Sequence, residues 1–294
     1  GSGHFLVAAA HRIAKRLASV RTGDLEPAPE PVRHALRDVI SRCIYGVDLN
    51  PMSVELCKVS LWLEAIDPGR PLSFLDHRIR CGNSLIGTTP ELVAKGVPDE
   101  AFDAITGDDK ETCKQRKKVN KTQRAQMATR QTTLFSAMAS GNGPSLDALR
   151  QGDDATIDGV QRLAAAWQAV DQDPAHLRAR WAADAWVAAF LAPKTPASPA
   201  ITSDTVRVAQ QSGPSGLDSQ LRVLIQRMAD EYRVFHWHVA FPELFGDGRA
   251  NGFSVVLGNP PYIKIDELYR AGNRQQSLFS ARYNRTYSDK TDLY

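Results

Sequence analysis

Cys43-Ile44-Tyr45-Gly46-Val47-Asp48-Leu49-Asn50-Pro51 is the stretch on which the architecture turns. Cys43 to Val47 is a short apolar run, the composition of a buried parallel strand. An acid, Asp48, stands at its carboxyl end. Asn50-Pro51 then opens a helix, because Asn can cap and Pro suits a first helical position whose N–H would have no partner. Apolar residues continue through Val54, Leu56, Val59, Leu61, Leu63 and Ile66, and Pro68-Gly69 stops the helix. Strand, acid and helix in that order belong to a doubly wound α/β sheet.

Working outward, Phe5 to Ala18 reads as a helix with Leu6, Ile13, Leu17 and several alanines on its apolar face. Gly1-Ser2-Gly3 ahead of it fits a tag remnant or a glycine-rich loop at a strand end. Gly23 to Pro31 reads as a loop and Val32 to Arg42 as a second helix. On the other side, Ile79 to Cys81 is a short strand leading into Gly82-Asn83-Ser84-Leu85. From about Pro90 to Asp247 the pattern becomes helical. Lys110 to Arg130 is a basic helix, Leu146 to Leu191 holds two or more helices, and Leu217 to Arg233 another. The Pro-, Ser- and Thr-rich stretch Ala192 to Gly216 reads as a linker or long loop. Phe253 to Leu257 reads as a strand feeding Gly258-Asn259-Pro260-Pro261-Tyr262.

The bulk numbers constrain less. A chain of 294 residues with 43% hydrophobic residues suffices for one large α/β domain or a domain with a sizeable insertion. A net charge of +3 permits a polyanionic partner without requiring one. Cys43, Cys57, Cys81 and Cys113 include no CxxC pair, so free thiols in a reducing compartment are expected. No apolar run has bilayer-spanning length, so the expectation is a soluble, cytoplasmic protein without a membrane partner. The patterns at both ends lead us to expect a piece of a longer protein.

The chemistry concentrates at Asn259-Pro260-Pro261-Tyr262, placed at the carboxyl end of the expected strand, the edge where such sheets bind ligands. The Asn259 side-chain oxygen is an acceptor. Pro261 has no N–H, which leaves the Pro260 carbonyl as a second free acceptor. Two acceptors facing one –NH2 group hold both its hydrogens and orient its nitrogen for attack on a methyl sulfonium. Tyr262 offers a flat face for an extruded base. The bland alternative is a Pro-rich turn.

The tetrad resembles the catalytic motif of the amino-group methyltransferases, adenine-specific DNA methylases in particular. Four other segments resemble that family's motifs in the same order. Gly1-Ser2-Gly3-His4-Phe5-Leu6 is similar to the tail of its cofactor loop, and Tyr45 to Pro51 to its second-strand motif. Arg80 to Leu85 is similar to its third-strand motif, and Lys290-Thr291-Asp292-Leu293-Tyr294 to the start of the helix after the catalytic motif. Phe235-His236-Trp237-His238 followed by Phe241-Pro242-Glu243 resembles a segment of the large methylases of fused restriction–modification and phage-defence systems.

The resemblance implies an α/β fold of the class I S-adenosylmethionine methyltransferase (Rossmann-like) type, with a long helical insertion between third and fourth strands. It implies a cofactor-binding half over 1–89, a mostly helical insertion over 90–247 with a loop at 192–216, and a truncated catalytic half over 248–294. S-adenosylmethionine is the implied cofactor. Gly1 and Gly3 would let the backbone approach it, and Asp48, with Leu49 beside it, would take its ribose hydroxyls. Asn83 and Ser84 would meet its adenine ring. Many relatives carry aspartate where Asn83 stands, though an amide still accepts and donates. Asp48 taken alone also reads as a helix cap.

Asn259, Pro260, Pro261 and Tyr262 would hold a flipped-out adenine of double-stranded DNA. A nuclease and a target-recognition domain would lie outside this chain. A glutamine-amide, RNA or cytosine-N4 methyltransferase, or a regulatory module, remains open on the same scaffold. The basic run from Lys110 to Arg130 suits phosphate tracking and equally a solvated helix face. His236 and His238 lack a third ligand, so no metal is expected.

Overall fold

The computed structural model describes residues 1–130, 144–152, 154–245, 252–258 and 274–283. The chain divides into two compact units. The first holds the described residues of Gly1–Asn83, Gly141–Asp173 and Ala240–Leu257; the second those of Ser84–Ser140, Pro174–Val239 and Gly258–Tyr294.

The first unit is built on a parallel β–α–β element. Strand β1 (Gly46–Asp48) pairs with β2 (Ile79–Cys81) in the register Gly46↔Ile79, Val47↔Arg80, Asp48↔Cys81. Helix α3 (Pro51–Glu64) connects them. Asn50 caps it as its sequence requires, its side chain accepting from the Met52 N–H at 2.9 Å with Pro51 in the first turn. Strand β1 is half-buried rather than buried, since β2 is the strand it pairs with among the described residues.

Helices α1 (His4–Thr22) and α2 (Pro29–Arg42) pack together over this element. Ala10, Ala14 and Ala18 repeat every four residues and are fully buried, so small side chains let the helices approach closely. With Val39, Ile40, Val54, Leu61, Leu75 and Ile79 they form one core. Helices α6 (Pro144–Gln151) and α7 (Ile157–Gln172) add a smaller core of Leu146, Leu149, Leu163, Ala166 and Val170. The buried Arg37 joins the region through Asp154, donating to its carbonyl oxygen at 3.0 Å.

The second unit is helical. Its centre is α8 (Pro174–Leu191), where every side chain from Ala185 to Leu191 is buried, as expected for a helix covered on all sides. Helices α4 (Pro90–Ala94), α5 (Lys110–Arg130), α9 (Ser203–Ser212) and α10 (Ser219–Glu231) belong to the same unit, as does α11 (Trp237–Ala240). A later short helix, α12 (Pro242–Phe245), returns to the first unit, and α13 (Gln275–Arg282) belongs to the second.

Two expectations are corrected. The stretch 192–216 is not a loop throughout, because α9 occupies Ser203–Ser212. Its Ser and Thr residues act as caps: Thr202 and Thr205 form a reciprocal capping box, and Val206 and Ala209 are buried. The remaining Pro-rich part is held by Arg116, which donates to the carbonyl oxygens of Thr195, Ser198 and Pro199. Second, Phe253 to Leu257 forms no strand. Val255 and Val256 are 72% and 78% exposed. A parallel strand buries such residues only when neighbours cover it, and no described strand pairs with this run.

Candidate cofactor site

Parallel pairing brings the ends of β1 and β2 to one edge. Asp48 stands opposite Cys81, and the Gly82 N–H donates to the Asp48 carbonyl oxygen at 3.0 Å. Asn83 follows directly. The Asp48 carboxylate is partly exposed. Its Oδ1 accepts from the Asn50 N–H at 2.8 Å, and its Oδ2 faces the Gly1 backbone nitrogen. Because Asn50 is the cap of α3, Asp48 is not used as one. Each carboxylate oxygen retains a further lone pair for another donor.

The glycine segment reaches this edge for a definable reason. Gly3 has φ of +87°, a region that L side chains rarely enter. A Cβ built there would lie 2.6 Å from Cys57 Sγ, so the turn presses onto α3 too closely for any side chain. The backbone then continues into α1. Gly1, Gly3, Asp48, Leu49 and Asn83 all belong to the first unit, with the Leu49 side chain exposed beside Asp48. An acceptor carboxylate beside a side-chain-free backbone fits the ribose and amino-acid parts of S-adenosylmethionine.

Ser84 opens the second unit, where the structure reveals a feature that sequence reasoning missed. Residues 84–88 are clamped by the segment that begins at Phe235. The Trp237 indole N–H donates to the Ser84 carbonyl oxygen at 3.0 Å, and the Phe235 N–H to that of Ile86 at 2.7 Å. His236 Nδ1 accepts from the Thr88 N–H at 3.1 Å while its Nε2 faces Asp184 Oδ1 at 3.0 Å. The Tyr283 hydroxyl donates to the Leu85 carbonyl oxygen at 3.0 Å. Gly87 is required, because a Cβ there would run into the Phe235 carbonyl oxygen. The repeated aromatic and imidazole groups of Phe235 to His238 are the local signal, without any indication of which loop they hold.

His236 is therefore engaged as a hydrogen-bonding residue, and the described residues contain no group of three or more His, Cys, Asp or Glu able to hold a metal. Asn259, Pro260, Pro261 and Tyr262 lie outside the described residues. No described helix is long and apolar enough to cross a membrane.

A parallel β–α–β unit with an acid and a glycine turn at its strand-end edge makes this a mixed helix and strand protein. Comparison with known sequences carries this further: the chain belongs to the Eco57I restriction-modification methylase family, which it matches over residues 42–294. It is also similar to the "Putative type II restriction enzyme and methyltransferase" of Methanocaldococcus jannaschii, at 33% identity over 103 residues. That alignment covers 31% of this chain and spans 8% of the length of the relative. No solved structure matches the chain.

Proposed function

We propose that this chain is the catalytic part of an S-adenosylmethionine-dependent DNA methyltransferase acting on the exocyclic amine of adenine within a restriction–modification system. The observation that carries the proposal is Asp48, held at the carboxyl end of β1 against the glycine turn, in a member of a restriction-modification methylase family. In this reading β1 and β2 are strands of a Rossmann-like sheet, and the helical segments between β2 and Asn259 are an insertion in it. The protein works in the cytoplasm on double-stranded DNA, with nuclease and target recognition supplied outside this chain.

S-adenosylmethionine supplies an electrophilic methyl group when bound. Asp48 accepts from the ribose hydroxyls, Gly1 and Gly3 leave room for the amino-acid portion, and Asn83 and Ser84 border the adenine ring. Asn259 and the Pro260 carbonyl accept the two hydrogens of the target amine, with Pro261 offering no competing donor. Tyr262 stacks on the extruded base. The two acceptors stabilise positive charge as it develops on nitrogen. No dedicated general base is required, because the methylated ammonium is acidic enough to lose its proton afterwards.

The test uses the full-length protein with unmethylated duplex DNA and cofactor, followed by nucleoside mass spectrometry. N6-methyl-2′-deoxyadenosine formation is expected from the wild type, with loss in Asn259→Ala. Asp48→Asn should weaken binding of S-adenosylhomocysteine by about tenfold or more, the size of a hydrogen bond to a charged group. Methylcytosine alone would overturn the base assignment. Unmodified DNA together with intact cofactor binding would favour the glutamine-amide or RNA reading.

A further inference from the structure

Helix α5 carries a dense run of cations, and the structure sorts them into two groups. Arg116 is spent on the carbonyl oxygens of residues 195–199, Lys117 pairs with Asp103 at 2.8 Å, and Arg124 with Asp99 at 3.1 Å. Lys110, Lys114, Lys118 and Lys121 are exposed and make no ion pair among the described residues. At about 100° per residue, their spacing confines them to an arc of about 80° on the helix surface, over a rise of about 16 Å. Successive lysines stand three or four positions apart, where like charges repel. Glu111 is the one acid between Lys110 and Arg130.

The helix bearing this stripe is firmly seated. Asn120 is fully buried: its amide donates to the Val97 carbonyl oxygen at 2.8 Å, and its oxygen accepts from the Ser203 N–H and hydroxyl, each at 2.8 Å. Cys113 is buried on the same side. The lysines therefore project from a fixed helix, repelling one another without a fold-stabilising partner, and a row of anions would relieve that repulsion. A B-DNA strand places one phosphate about every 3.4 Å of rise, so the stripe matches about five phosphates in length.

We propose that Lys110, Lys114, Lys118 and Lys121 form a contact for the phosphate backbone of double-stranded DNA, independent of sequence. The proposal rests on the reading that DNA is the substrate. Such contacts position a duplex and do not read bases. Their signature is counterion release, in which each lost contact lowers the magnitude of the log Kd against log salt slope by about 0.9.

The experiment measures binding of a fluorescent duplex to the full-length protein across a salt series. It compares wild type, the triple variant K114Q/K118Q/K121Q and a charge-matched control, K95Q/R222Q/R227Q, taken from exposed positions of the same unit. The expected result is a slope reduced by about two to three in the first variant alone, with S-adenosylhomocysteine binding unchanged. An unchanged slope and affinity would overturn the contact, leaving a solvated helix face. An equal loss in the control would also overturn it, since net charge alone would then act. A loss confined to RNA or to an acidic polypeptide would overturn the choice of partner. If the wild type binds no duplex while retaining the cofactor, the DNA-substrate reading fails, and the contact with it. If duplex binding and slope behave as expected but no base is methylated, the contact stands and the proposed reaction alone fails.

Discussion

The indole N–H of Trp237 donates to the carbonyl oxygen of Ser84 at 3.0 Å across 153 positions of sequence. This bond, with the neighbouring ones from Phe235 and His236, fixes the backbone just after Asn83, where the cofactor's adenine ring is proposed to lie. Trp237→Phe removes the donor and preserves an aromatic ring beside Phe235, whose centroid is 5.3 Å away. Because the Ser84 end of the bond is exposed, water can replace the donor, and stability should fall by no more than about 1 kcal/mol. Binding of S-adenosylhomocysteine should weaken several-fold. Calorimetric titration and urea unfolding on the same samples separate the two effects. An unchanged affinity would reduce the bond to a packing detail.

The Gly3–Cys57 contact makes a separable prediction. Gly3→Ala meets two obstacles, the positive φ and the Cys57 sulfur. The backbone part should cost about 1–2 kcal/mol, with the overlap added to it. Cys57→Ala removes the sulfur and leaves the backbone penalty. In a double-mutant cycle the pair should therefore be less damaging than the sum of the single changes. Additivity within about 0.5 kcal/mol in denaturant unfolding would show that the turn does not press on α3 as described.

Much of the first unit is legible in local sequence because local physics builds it. Asn50-Pro51 caps and starts α3, and the short run at Ile79 to Cys81 coincides with β2. The extent of α5 is equally plain, since its polar residues contain no helix breaker from Lys110 to Arg130. The helix at Ser203–Ser212 is hidden because Thr202 and Thr205 look like loop residues until their capping box forms. The clamp on 84–88 is hidden for a different reason: its two halves are far apart in sequence, and no periodicity links Trp237 to Ser84. The apolar run at Phe253 to Leu257 shows the opposite case, strand-like composition without a described partner strand. For the candidate site, the strand-end acid is visible in the sequence, whereas the seating of Gly3 on Cys57 depends on packing.

The pH response of the first unit should report on His77. This residue is 1% exposed, and its ring lies 5.2 Å from that of Phe74 in a stacked arrangement. Its Nε2 accepts from Arg78 Nε at 2.9 Å, which requires an unprotonated nitrogen. Burial, then the positive charges of Arg78 and Arg80, push its pKa down to about 3 from an ordinary value of 6.5. The folded protein thus excludes a proton that the unfolded chain binds between these two values. Stability from this source is complete above pH 6.5 and is lost as pH falls toward 3, at no more than about 1.4 kcal/mol per pH unit. Carboxylates contribute their own acid dependence, so the informative quantity is a difference in slope. His77→Gln keeps an acceptor for Arg78 and removes the titration. Its stability should be lower near neutral pH, because ring packing is lost, but its slope between pH 6.5 and 4.5 should be shallower by nearly one proton. Urea unfolding at closely spaced pH values measures both, and parallel curves for the two proteins would show that His77 is not kept neutral by the fold.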